Sequence, residues 1–263
     1  MALLKVADLL DIASQCFTDA QEAADEINLS AMAESEHHYG RKNAADVQHI
    51  SSRPKLSKVK TFHGLRGWAT LLCFDLRRST RRALELGPRD TYLTMHTYLP
   101  TMLELVGRGG GQVVGLRGDG AIACFGLVEL DGPDAAPTKE QREEALRQAA
   151  RCGTGMVEAI DAVVNRVLEA NKVKGGLQIG VGIDVGNIVA TNIGRGGATE
   201  LTAYGNCVNG CCKNSDGNNS VVLSLDAKKQ FPKSPTGRAD FKRFRDRDDS
   251  FLLRYPSDYR TLS

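Results

Sequence analysis

Two aspartates stand where carboxylates can do chemistry. Asp75 ends the apolar run GWATLLCFDL, and Asp119 sits in the GDG between QVVGLR and AIACFGLV. An acid at the end of a buried strand and an acid at a hairpin tip can meet if the two elements are neighbours in one sheet. Two carboxylates brought close repel unless a cation lies between them, and an all-oxygen donor set suits Mg2+ or Mn2+. The loop after Asp75 reads LRRST, in which Arg77, Arg78, Ser79 and Thr80 supply donors. Its backbone amides lead toward a helix start, a natural phosphate site. Either acid alone could equally close a turn or cap a helix.

These groups need elements to hold them. GWATLLCFDL has the continuous hydrophobicity of a buried central strand. QVVGLR, a short turn and AIACFGLV form a hairpin signature. Residues 88–107 read as a helix with Tyr92, Met95, Leu99, Met102 and Val106 on one face, and Pro100 is expected to kink or restart it. The strongest helix spans 140–169, where Leu146, Ala150, Gly153, Val157, Ile160, Val164 and Val167 make an apolar stripe. GLQIGVGIDVG reads as a strand and NIVATNIG as its returning partner. ELTAYGN is a further strand, CVNGCCKNSD starts a helix, and VVLSLDAKKQF is a strand running into a short helix. FKRFRDRDDSFLLRY closes in an edge strand. This order predicts an α+β fold, an antiparallel-rich sheet with flanking helices.

At the N-terminus, Leu3, Val6, Leu10, Ala13 and Phe17 recur at three- and four-residue steps, which predicts a helix over 2–28. Residues 29–60 are polar. The expected division is therefore an N-terminal helical extension and linker over 1–61, and a catalytic domain over 62–263. The extension either packs on its own domain or serves as an arm that stabilises a dimer.

Bulk properties narrow the partners. The chain has 263 residues with 34 basic and 32 acidic side chains, a balance that gives neither nucleic acid nor an anionic membrane a reason to bind. No stretch approaches the ~20 apolar residues of a membrane span, and the N-terminal run carries acids without a basic leader. The seven cysteines are odd in number and lie mostly in apolar contexts, which fits reduced thiols in the cytoplasm. CVNGCC offers three sulfurs, but a structural zinc site wants four ligands and no His or second Cys pair lies nearby in sequence.

Four segments, in order and with similar spacing, resemble those of the class III adenylate and guanylate cyclases. FDLRRST is similar to the first metal-aspartate segment, and GGGQVVGLRGDGAIACFG to the second-aspartate hairpin. VGIDVGNIVATNIG is similar to the strand-turn-strand segment, and LTAYGNCVNGCCK to the dimer-crossing segment. The resemblance runs from Trp68 to Tyr255. It implies the cyclase fold and a homodimer with two equivalent composite sites. It also implies a nucleoside triphosphate substrate, whose ribose 3′-oxygen attacks the α-phosphorus in line while pyrophosphate leaves. Two Mg2+ or Mn2+ ions per site would be held at Asp75, Leu76 and Asp119. Asn209 would fix the ribose, and Arg195 would contact the triphosphate. Lys213 falls where the family usually places an arginine that stabilises the transition state. The acids come from one subunit and the Asn209/Lys213 pair from the other.

Departures from the family bear on the base. Adenylate cyclases select adenine with a Lys four residues before the second Asp and an Asp on the dimer-crossing segment. Here those positions hold Gly115 and Thr202, and the Glu usual in guanylate cyclases is missing too. Arg117 stands where the family usually has an apolar residue, and strand alternation puts Gly115, Arg117 and Asp119 on one face. Arg117 could reach a base, a triphosphate or the acids, or form a structural ion pair. This pattern is similar to the short bacterial cyclases of anti-phage signalling that make cyclic UMP or cyclic CMP, and implies UTP or CTP as substrate. An adenylate or guanylate cyclase, and a non-catalytic cyclase-like nucleotide-binding dimer, are the other readings. Lys in place of Arg at position 213 loses the planar fork and leaves a point charge.

Overall fold

A strand that must be buried on both faces becomes the middle of its sheet, and β1 (Gly64–Leu76) is that strand. The computed structural model describes residues 4–33, 63–132, 135–195, 198–232, 239–255 and 261–263. β1 pairs antiparallel with β3 (Gly120–Glu129) on one side and with β4 (Ile179–Arg195) on the other. β2 (Gln112–Arg117) turns into β3 through Gly118 and Asp119. The other flank of β4 pairs with β6 (Ser220–Ser224), in parallel, and then with β5 (Ala198–Tyr204) further along. β6 continues to β8 (Ser250–Arg254), and β8 to β7 (Asp240–Arg243). The order β2-β3-β1-β4-β6-β8-β7, with β5 beside β4, is mixed but mostly antiparallel, as expected of the α+β class.

Alternation along the strands builds two cores. Leu72, Phe74 and Leu76 of β1, Ala123 and Phe125 of β3, and Val181 and Ile183 of β4 face the main one. It is closed by α1 (Val6–Ala33), α2 (Ser79–Arg108), α3 (Lys139–Ala159) and α4 (Asn165–Ala170). α3 starts in a capping box, with the Thr138 hydroxyl accepting from Gln141 N and Gln141 Oε1 accepting from Thr138 N. A π-helical turn, Ile160–Val164, joins α3 to α4. On the opposite face, Leu71, Cys73, Ile122, Cys124, Ile188 and Ala190 meet α5 (Asn206–Asn214) through Cys207, Val208 and Cys211. α6 (Leu225–Gln230) follows β6. All seven cysteines are free, and among the described residues no helix is long and apolar enough to cross a membrane.

Four elements differ from the sequence expectation. The first helix begins at Val6 and runs to Ala33, and it buries Leu9, Ala13, Phe17 and Ala20 against the main core. Most of the polar stretch that follows, and the expected boundary near Phe62, lie outside the described residues. α2 starts before residue 88 and breaks at Gly87 (φ 76°, ψ 174°), whereas Pro100 sits inside a continuous helical run. The residue before Pro88 is disfavoured in the α region, and a glycine there takes the left-handed φ without cost. SFLLR is not at an edge; among the described residues β7 lies outside it.

The fourth difference matters most for the site. IGVGIDVGNIVATNIGR is one 17-residue strand, not a strand, a turn and a return. Its glycines are not turn signals. A Cβ on Gly180 would overlap the Ser215 carbonyl, and a Cβ on Gly182 the Cys211 carbonyl. Gly180, Gly182 and Gly186 share a face by alternation, and α5 lies directly on that bare strip of β4. The return strand is β5, reached only after Arg195.

Candidate active site

The β1–β3 register sets the acid pair. Asp75 lies opposite Gly120, the residue after Asp119, and Leu76 N donates to Asp119 O at 3.3 Å. Gly118 takes the positive φ (57°) of the tight turn, and a Cβ on Gly120 would run into the Phe74 carbonyl. Thus the glycines flanking Asp119 let the hairpin tip close onto the end of β1. Arg77 Nη1 donates to Asp75 Oδ2 at 3.2 Å and to Ser215 O at 3.4 Å, linking the acid to the end of α5. Burial, then the negative charge of Asp119, push the Asp75 carboxyl up to about 6, with Arg77 pulling the other way.

Arg77 offsets only part of that burial and repulsion, and a divalent cation between the two carboxylates would offset the rest. Leu76 can contribute only a backbone carbonyl, since its side chain is apolar and buried. Among the described residues there is no cluster of three or more His, Cys, Asp or Glu side chains able to hold a metal. A cation here would rest on two carboxylates, with its remaining oxygens drawn from backbone, water or phosphate, the usual manner of holding Mg2+.

The donor-rich loop follows at once. Arg78 is left-handed (φ 57°, ψ 30°) and precedes the first residue of α2 without a side-chain cap. The amides around Ser79 and Thr80 therefore form an uncapped helix N-terminus within a few residues of Asp75. Arg82, one turn into α2, is used structurally: Nη1 donates to Gly175 O at 2.9 Å and Nη2 to Lys174 O.

Gly115 pairs with Ile122 and Arg117 with Gly120, so both share the sheet face of Asp75. A Cβ on Gly115 would meet nothing within 4 Å, which leaves open space where a longer side chain could have stood.

Other expected site residues lie elsewhere on the same chain. Asn209 and Lys213 are exposed one helical turn apart on α5, and Lys213 lines a polar cavity of about 480 Å³ with Asp184, Ser224, Asp226, Arg247 and Asp249. Thr202 pairs with Thr191, and Arg195 with Ala198, on the sheet face opposite Asp75. One chain therefore brings together Asp75, Leu76, Asp119, the 77–80 loop, Gly115 and Arg117, while Thr202 and Arg195 lie on the other sheet face and Asn209 and Lys213 are exposed on α5.

Two features went unseen in the sequence. Asp184 on β4 is half-buried against α5, and it accepts from the Ser224 hydroxyl and, at 2.8 Å, from Val185 N. Nothing in IGVGIDVG marks it. The other is the approach of Cys73 to Cys211, with Gly182 of β4 between them. The alternation of β1 could have placed Cys73 on the face of Asp75, two residues away.

Comparison with solved structures agrees with this architecture. The adenylyl cyclase CyaB from Pseudomonas aeruginosa matches with a TM-score of 0.59 and 16% identity over 76% of this chain and 99% of that one. The guanylyl cyclase Cya2 matches with a TM-score of 0.55 and 22% identity over 74% and 96%. A class III adenylyl cyclase-like ATP-binding protein from Pseudomonas aeruginosa matches with a TM-score of 0.58 and 19% identity over 75% of this chain and 40% of that one. No protein-family model and no curated protein sequence matches the chain. At these identities the likeness is one of fold, and the chain has the fold of the class III nucleotidyl cyclases.

Proposed function

We propose that the chain is a nucleotidyl cyclase that converts a nucleoside triphosphate, UTP before CTP, to its 3′,5′-cyclic nucleotide and pyrophosphate. The observation that carries this reading is the Asp75/Asp119 pair beside an uncapped helix N-terminus, at the end of the central strand of a cyclase fold. Asp75, Asp119 and the Leu76 carbonyl would hold two Mg2+ or Mn2+ ions. Such ions lower the pKa of the attacking hydroxyl and neutralise the leaving phosphates. The 77–80 loop receives the phosphates with backbone amides and the Arg78 guanidinium. Asn209 and Lys213 act from a second copy, Asn209 on the ribose and Lys213 as a positive charge where negative charge develops. Arg195 reaches the triphosphate from the same copy.

Base selection is assigned to the face shared by Gly115 and Arg117, with Thr202 completing the pocket from the second copy. Without the purine-selecting Lys and Asp, a purine lacks its specific hydrogen bonds, whereas uracil offers two carbonyl acceptors to an arginine. Product identification by mass spectrometry, after incubation with ATP, GTP, CTP and UTP in Mg2+ or Mn2+, tests both levels. Cyclic UMP as the main product is expected. A preference for ATP or GTP overturns the base assignment alone, and absence of any cyclic product overturns the activity. A non-catalytic nucleotide-binding dimer is the second reading, favoured by Lys at position 213 and by the likeness to a cyclase-like ATP-binding protein.

A further inference from the structure

A polar cavity opens at the end of the sheet remote from the acid pair. Asp75 pairs with Gly180, and Gly180 with Ser220 at the start of β6, whereas α6 follows the other end of β6, at Ser224. Between the last turn of α6 and the first turns of α3 lies a space of about 550 Å³, lined by Lys139, Arg142, Glu143, Lys229, Gln230 and Phe231. Three cations there face one carboxylate. Like charges gathered in a recess are screened less than on an open surface, so the cavity favours an anion. No step of the proposed cyclisation uses any of these residues.

We propose that the cavity between α3 and α6 binds a small phosphate monoester that carries a ring, the class of the nucleoside monophosphates, at a site separate from the acid pair. Its lysines are held loosely by the protein itself. Lys139 Nζ stands 3.7 Å from Glu143 Oε1, and Lys229 Nζ stands 3.9 Å from Asp226 Oδ1, both too long for a hydrogen bond. Both lysines are exposed, so an arriving anion can draw them in without breaking a strong contact. Arg142 is half-buried and fixed, because its Nη1 donates to Pro137 O at 2.9 Å. That bond occupies one nitrogen of a group with five N–H donors. The cavity thus offers one oriented planar fork and two adjustable point charges, a set suited to phosphate oxygens. The amides at the start of α3 are not the anion site, since Thr138 and Gln141 close that end in a capping box.

Charge and lining set the class of ligand. Three cations less one carboxylate leave two positive charges, which match the roughly two negative charges of a phosphate monoester. Glu143 would repel the further charge of a polyphosphate. Phe231, half-buried and edge-on to Phe241 with ring centroids 5.2 Å apart, supplies an apolar wall. Gln230 adds an amide that both donates and accepts. An apolar wall beside an amide suits a ring with polar edges better than a bare inorganic ion. The volume falls in the usual range for small-molecule sites, about 300–1,000 Å³.

The test is calorimetric titration of the full chain with AMP and, separately, with inorganic phosphate. A chelator keeps divalent ions from the acid pair and no turnover is needed, so the outcome is independent of the proposed cyclase activity. One AMP per chain is expected to bind with a Kd below about 1 mM, and inorganic phosphate roughly tenfold more weakly. Arg142→Gln and Lys229→Gln should each weaken AMP binding roughly tenfold, as loss of one charge-assisted bond does. Arg78→Gln, beside Asp75, and Lys242→Gln, on β7, should leave it unchanged. Hydrogen exchange should slow at 139–143 and 228–231 when AMP is present. The inference fails if AMP shows no saturable binding up to about 10 mM, or if Arg78→Gln rather than Lys229→Gln abolishes it. Because Arg142 also holds the Pro137 carbonyl, Lys229→Gln is the decisive variant, and undiminished AMP binding in that protein overturns the site. Equal affinity for AMP and inorganic phosphate overturns the ring-bearing ligand.

Discussion

Asp75 is held ionised at neutral pH against its surroundings. Its folded pKa of about 6 lies above the ~3.9 of an unfolded aspartate. A group raised in this way contributes stability that is fully present below about pH 4 and is lost as pH rises through about 6. Its side chain is 38% exposed, so solvent screening reduces the effect to about 1 kcal/mol. Asp75→Asn should therefore raise the melting temperature of the metal-free protein by about 2–4 °C at pH 7.5, and leave it unchanged at pH 4. The same variant should have no cyclase activity, because a neutral amide neither repels Asp119 nor holds a cation. Melting curves with a chelator at the two pH values, beside a turnover assay, check this. An unchanged or lowered melting temperature at pH 7.5 would mean that Asp75 is not strained by its neighbour. A related expectation concerns Lys213: its replacement by Ala should lower turnover by about 10²–10³-fold while leaving the fold intact, as removal of one transition-state donor does elsewhere.

α5 is positioned by what β4 lacks. Gly182→Ala would put a methyl into the Cys211 carbonyl, and helix and strand cannot both stay in place. The expected cost is about 1–3 kcal/mol, together with loss of turnover, since Asn209 and Lys213 ride on that helix. Gly115→Ala is the matched control: its Cβ enters open space, so thermal stability should be unchanged. Equal stability of the two variants by denaturant titration would show that α5 can lift without penalty. These glycines also show where the sequence was readable. β1, the Asp119 hairpin and the long helix were legible because an unbroken apolar run, a GDG between two strand patterns and a 3.6-residue stripe each have few alternative meanings. β4 was not, because a glycine that makes room for another backbone looks the same in sequence as a glycine that turns. Likewise the break expected at Pro100 falls at Gly87, because it needs a positive φ that only glycine supplies cheaply. The approach of Cys73 to Cys211 was hidden because Cys73 and CVNGCC are far apart in sequence, and only the placement of α5 on β4 joins them.

For the whole molecule, the proposed function requires a two-fold assembly with shared sites. Inactive Asp119→Asn protein mixed with an equal amount of inactive Lys213→Ala protein should regain about a quarter of wild-type activity. Half the dimers are then mixed, and each has one of its two sites intact. If subunit exchange is demonstrated and no activity returns, the shared site is wrong. Val189, Ile193 and Tyr204 are 42%, 50% and 53% exposed, and they form an apolar stripe on β4 and β5 where a second copy could sit. The length of β4 has its own consequence there. Among the described residues, the β1–β4 register ends at Thr191, and residues 193–195 pair with β5. A two-stranded ribbon is marginally stable in water. Its amides should take up deuterium much sooner than those of residues 71–74 in the centre of the sheet, and dilution of the protein should quicken that uptake while leaving the centre unchanged.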